Sequence, residues 1–197
     1  MKETKANKKR FWILLLTLLI SPAFFLSFLE ASEKQGTLEF LIGNYGMSDP
    51  QFKAVYEKAG LLRGIGLTSH LAYDVHFSLE IKYLYRIGKL TYTKEETKFL
   101  LIPVSLGIRY VRPMDWALPY LGMGLDFCFY GENNAIGTVI DYAKGFHIQG
   151  GSYFRFAKNI PFWLNVRLKY TKAKTEDNNR KINLGGFEYG IGLVLAF

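Results

Sequence analysis

Few residues in this chain are of types that could do chemistry: three histidines, one cysteine, a serine near one of the histidines, and several closely spaced glycines. His70, His76 and His147 could ligate a metal or move protons, but no two of them stand at a ligand-like spacing. Ser152 beside a histidine could hydrolyse an ester, provided the two side chains share a face. Cys128 is the only cysteine, so no disulfide can form within one chain, and no cysteine follows the N-terminal apolar segment to accept a lipid. The pairs Gly64/Gly66, Gly122/Gly124 and Gly190/Gly192 look superficially like phosphate-cradling loops, yet each lies inside an alternating segment and none opens a helix. The expectation is therefore no catalytic residue, no cofactor and no metal site.

The elements that position these residues are strands. Large apolar and small or polar residues alternate along the chain, and a strand sends alternate side chains to opposite faces. At the C-terminus Phe187, Tyr189, Ile191, Leu193, Leu195 and Phe197 alternate with Glu188, Gly190, Gly192, Val194 and Ala196. Val75, Phe77, Leu79, Ile81, Tyr83, Tyr85 and Ile87 face away from His76, Ser78, Glu80, Lys82, Leu84, Arg86 and Gly88. The same pattern recurs over residues 99–110, 120–129, 146–156 and 162–171, and less cleanly over 37–44 and 61–73. This register puts all three histidines and Cys128 on the small or polar face and Ser152 on the bulky one. A serine–histidine pair is thereby separated, and Cys128 is expected to be inert.

Connections alternate in length. Short turns fall at Asp74, Arg112–Trp116 and Lys158–Pro161, and longer polar connections at 44–60, 90–97, 131–140 and 173–181. Asp49-Pro50 followed by Phe52, Val55 and Tyr56 reads as a short capped helix in the first long connection. Eight antiparallel up-and-down strands result, with both termini on the short-turn side.

The N-terminus carries Lys2, Lys5, Lys8, Lys9 and Arg10, and then Phe11 to Leu29 without a charge. A basic segment, an apolar run and Ala31 make a Sec-type signal over residues 1–31, cleaved near Ala31–Ser32, before a barrel domain at 32–197. Residues 1–31 hold five of the 25 basic and two of the 17 acidic residues, leaving 20 against 15, or +5. That mild, scattered surplus gives no footprint for nucleic acid.

Alternation alone does not say which face looks outward. Eight strands enclose an interior just wide enough for side chains, and the bulky face would overfill it. The glycine-rich face suits a narrow lumen. That lumen would also hold Glu39, Glu80, Asp126 and Glu188 with Lys82, Arg86, Arg109, Arg155, Arg167 and Lys169, which must pair because isolated buried ions cost several kcal/mol. Ile81, Phe127 and Leu193 then meet hydrocarbon. Tyr73, Tyr110, Trp116 and Phe197 at one end and Tyr85, Phe129, Tyr142 and Tyr170 at the other suit the headgroup regions. From Phe77 to Tyr85 the climb is about 20 Å at ~40° tilt, near the ~25 Å apolar band of such barrels.

On the stretches IPVSLGIRY at 102–110, PYLGMGLDF at 119–127 and LGGFEYGIGLVLAF at 184–197, the chain resembles small eight-stranded bacterial outer-membrane barrels of the OmpX-like and OmpA-transmembrane type over residues 36–197. The resemblance implies an eight-stranded all-β transmembrane barrel and a C-terminal signal for the barrel-assembly machinery at Gly192, Leu195 and Phe197. Gly190 stands where that signal often has a polar residue. It further implies contact with outer-membrane lipids and lipopolysaccharide, periplasmic termini, and a monomer with a structural or surface-interaction role rather than an enzymatic one. A narrow channel and a lipid-A-modifying enzyme are the alternatives.

Overall fold

The computed structural model describes residues 36–56, 60–135, 137–157, 160–177 and 180–197. The signal segment read at 1–31, its cleavage point, and Lys158 of the third short turn lie outside the described residues. The elements are β1 (Gly36–Met47), α1 (Pro50–Tyr56), β2 (Gly60–Ala72), β3 (Val75–Lys89), β4 (Glu96–Val111), β5 (Ala117–Asn134), β6 (Gly137–Arg155), β7 (Phe162–Asp177), β8 (Arg180–Asn183) and β9 (Gly186–Ala196).

Every neighbouring pair is antiparallel, and β6 closes on β7 while β1 closes on β9. β8 and β9 are two pieces of one barrel strand, both paired with β7. The wall therefore has the eight staves that the alternation predicts, with the last one broken at Leu184–Gly185. Gly185 bridges the break, its N–H donating to Ala173 O at 3.1 Å while its carbonyl accepts from Ser48 N at 2.8 Å.

Register defines the shape. From Glu80, partners run one way through Ser105 and Asp126 to Gly145, and the other way through Gly66, Glu39, Val194 and Trp163 to Arg155. The two walks meet on β6 ten residues apart. A stagger of that size tilts the strands by roughly 40° from the barrel axis.

Inside and outside follow the alternation. Leu125 is 57% exposed, Ile148 53% and Leu193 47%, while on the other parity Glu39, Ser105, Asn165 and Val194 are buried. Ile81 and Phe127 also lie on the outer parity. The start of β1 and the C-terminus share one end, where Gly36 N donates to Phe197 O at 2.9 Å and Phe197 N to Gly36 O at 3.0 Å. The short turns close the barrel at this terminal end, and α1 lies at the other, the helix end.

The long polar connections need correction. β5 and β6 stay paired as far as Asn134 and Gly137, so most of 131–140 is ladder rather than loop. β7 and β8 likewise pair through Asp177 and Arg180, within the span read as 173–181. Polarity there marks strand that has left the apolar band, not an end of strand.

Candidate functional site

The lumen holds two differently built fillings, a charged middle layer and buried apolar clusters on either side of it. In the first, Glu39 accepts at Oε1 from Arg109 Nη1 at 2.6 Å, Tyr153 OH at 2.7 Å and Thr68 Oγ1 at 3.0 Å. Its Oε2 accepts from Asn165 Nδ2 at 2.8 Å. Arg109 also contacts the Tyr153 hydroxyl and reaches Glu80 Oε1 through Nη2 at 2.5 Å. Arg167 grips Glu80 with both terminal nitrogens, at 2.7 and 2.9 Å. Lys82 bridges Glu80 at 2.9 Å and Glu188 at 2.7 Å. Lys169 binds Asp126 Oδ1 at 3.0 Å and Ser105 Oγ at 2.6 Å, and Thr171 donates to Asp126 Oδ2 at 2.8 Å. All eight staves contribute side chains.

Four carboxylates, Glu39, Glu80, Asp126 and Glu188, thus face four cations, Lys82, Arg109, Arg167 and Lys169. The layer balances, as burial requires: a lone ion here would cost several kcal/mol. None of the eight is more than 4% exposed. Two ions assigned to it from sequence lie elsewhere. Arg86 donates through Nη2 to Tyr56 O at 2.8 Å, nearer the helix end. Arg155 is exposed at the terminal rim and rests over the Trp163 ring at 5.1 Å, because strand parity alone does not say how far along the axis a residue lies.

The second filling is apolar and lies on both sides of the ions: Val111, Leu118, Tyr120, Tyr153 and Val194 form a buried cluster toward the terminal end. Tyr45, Met47, Leu62, Leu84, Phe99, Leu101, Cys128, Tyr130 and Leu184 form one buried cluster toward the helix end. Helix α1 closes it. Asp49 caps the helix, Oδ1 accepting from Gln51 N at 2.8 Å and Phe52 N at 3.2 Å, while Oδ2 accepts from Asn183 N at 3.2 Å and ties the cap to β8. Phe52 meets Phe99 edge-on at 4.9 Å and stacks on Tyr56 at 4.8 Å. The Tyr56 hydroxyl donates to Glu132 Oε1 at 2.9 Å and lies 2.7 Å from Thr97 Oγ1. Burial pushes this phenol above its ordinary range, so it remains a donor. Gly88 makes the seat, since a Cβ there would run into Val55 O and the Tyr56 ring. The polar plug expected along the whole lumen is therefore only its middle layer.

The residues first weighed for chemistry are dispersed. His147 donates or accepts at Nδ1 with Asp126 at 2.9 Å. Its ring fits because Gly107 and Gly124 face each other across β4 and β5, and a Cβ on Gly124 would meet it. His70 and His76 pack edge-on at 5.2 Å near the terminal end, and His70 Nε2 donates to Tyr73 O at 2.6 Å. Ser152 is on the outer parity of β6, opposite Val166, with the wall between it and the lumen histidines. Cys128 is buried in the apolar layer. Gly192 faces inward and Leu195 and Phe197 outward. Among the described residues no group of three or more potential ligands could hold a metal ion.

The family model described as "Outer membrane protein beta-barrel domain" matches residues 12–197. A comparison with curated protein sequences finds no match. Among solved structures, OprG from Pseudomonas aeruginosa is 13% identical and superposes with a TM-score of 0.66 over 84% of this chain and 97% of that one. Neisserial surface protein A is 14% identical, with a TM-score of 0.60 over 83% and 96%. Outer membrane protein W of E. coli is 9% identical, with a TM-score of 0.54 over 84% and 99%. These likenesses are of fold. The chain belongs to the outer membrane protein β-barrel domain family.

Proposed function

We propose that this protein is an integral outer-membrane barrel with a structural or surface-interaction role and no catalytic one. The observation that carries the reading is the opposition of the two faces: an apolar wall wrapped around a charge-balanced layer that leaves no ion more than 4% exposed. Such a layer gives water no continuous route, which argues against a narrow channel. The separation of Ser152 from the lumen histidines argues against lipid hydrolysis.

The terminal end faces the periplasm and the helix end the outside, as short turns on the periplasmic side of such barrels suggest. A Sec-type signal exports the chain, and the assembly machinery reads Gly192, Leu195 and Phe197 on the closing strand. The barrel works as a monomer among outer-membrane lipids and lipopolysaccharide. The surface role falls to the β5–β6 hairpin. Its arms are 18 and 19 residues long, about 45 Å at the barrel tilt against an apolar band of ~25 Å. Roughly 20 Å of paired strand therefore stands clear of the bilayer. Fractionation followed by gel migration with and without boiling tests this reading. A heat-modifiable band from outer membranes is expected; a soluble fraction, or a band indifferent to boiling, would refute it.

A further inference from the structure

The outer wall is not uniform at its helix end. On β3, β4 and β5 the outward apolar rows run unbroken to Ile87, Leu100 and Phe129, whereas on β6 and β7 lysines break in after Phe146 and Tyr170, with Tyr142 resuming the row on β6. The next outward positions on β6 and β7 are lysines, Lys144, Lys172 and Lys174, all exposed. Register draws them together: Lys144 pairs directly with Lys174, and Lys172 with Phe146. On its other side Lys144 pairs with Phe127 of β5, so this basic patch lies level with side chains that are still apolar.

Two like charges directly opposed across a ladder repel, which destabilises the pair. At the β3–β4 edge such charge is answered within the chain. Lys98 pairs with Glu96 at 3.2 Å, and Glu96 also stands opposite Lys89. Among the described residues Lys144, Lys172 and Lys174 enter no ion pair. Their ammonium groups lie instead 5.8 Å from aromatic rings, Lys144 over Tyr142 and Lys172 over Phe146. Rings flanking cations at the edge of an apolar band mark the depth of lipid headgroups.

We infer that Lys144, Lys172 and Lys174 form a binding site on the outer wall for the phosphate of a phosphorylated glycolipid of the lipopolysaccharide type. The phosphate bridges Lys144 and Lys174 and relieves their repulsion. Lys172 takes a second oxygen or a second phosphate, and acyl chains lie along Phe146, Ile148, Leu168 and Tyr170. The site rests on the membrane reading above, because only a bilayer presents headgroups at this height.

The test uses the full chain folded into phosphatidylcholine nanodiscs doped with diphosphorylated lipid A, with lipid retained after dilution counted by native mass spectrometry. Wild type is expected to retain lipid A and to release its dephosphorylated form. The triple substitution K144Q/K172Q/K174Q is expected to lose about tenfold or more in retention, and Lys174→Gln alone about fivefold. Lys98→Gln, whose charge is already paired, is expected to change nothing. Equal retention by wild type and either Gln variant, or by wild type for both forms of lipid A, would overturn the site. Heat-modifiable migration of the same samples separates the two levels: folded variants that keep lipid A sink the site alone, and wild type that never folds in a bilayer sinks the membrane reading.

Discussion

The middle of the lumen is filled by ions; toward either end it is filled by rings and aliphatic chains. The two fillings fail differently. In the charged layer each ion is held by several partners from different staves, so removing one strands the others in a dry interior. In the apolar layer the contacts are many and individually small, with polar pins at Tyr56, Glu132 and Asp49 and at Tyr45, whose hydroxyl donates to Leu184 O at 2.7 Å. The charged layer therefore sets the closure of the wall, while the apolar layer sets where α1 sits.

The largest effect is expected from Glu80→Gln, which leaves Arg109, Arg167 and Lys82 short of a carboxylate. A loss of about 3–5 kcal/mol in unfolding free energy, read by urea titration of the folded barrel, would support the account of that layer. Leu125→Arg moves the same kind of charge to the outer wall. There it is expected to cost ~2–4 kcal/mol and to lower the folded fraction in vesicles, because hydrocarbon offers no counter-ion. Tyr56→Phe acts on the apolar layer and removes the hydroxyl near Glu132 and Thr97. About 1 kcal/mol is expected, with faster hydrogen exchange confined to α1. Gln149→Ser is the mildest, under ~1 kcal/mol, since among the described residues Gln149 Nε2 has no partner and its Oε1 takes only a 3.3 Å bond from Arg167. Equal costs for Leu125→Arg and Gln149→Ser would erase the distinction between wall and lumen.

Much of this was legible in the sequence because parity is a strong signal where one face is lipid. The eight staves, the outward placement of Ile81, Phe127 and Leu193, and the capped helix after Asp49 all follow from alternation and turn chemistry. The membership of Glu39, Glu80, Lys82, Arg109, Asp126, Arg167, Lys169 and Glu188 in one lumen was readable for the same reason. Their pairings were not, because parity gives a face but not a height, and the ten-residue stagger decides which ions are level. Arg86 and Arg155 share that parity and sit at other heights. The apolar layer was hidden because Leu62, Leu84 and Leu101 interrupt the small-or-polar rule on the inner face. Gly88, opposite Thr97 on the inner face, and the isolated acid Glu132 were the residues that could have shown where the helix docks.

The central claim is that the ion layer seals the barrel. Planar-bilayer recording of the folded protein tests it most directly: the account predicts a steady baseline with no discrete openings. Unitary steps that recur with the wild-type protein and persist in Tyr56→Phe would mean that water and ions pass through the layer, and would contradict it.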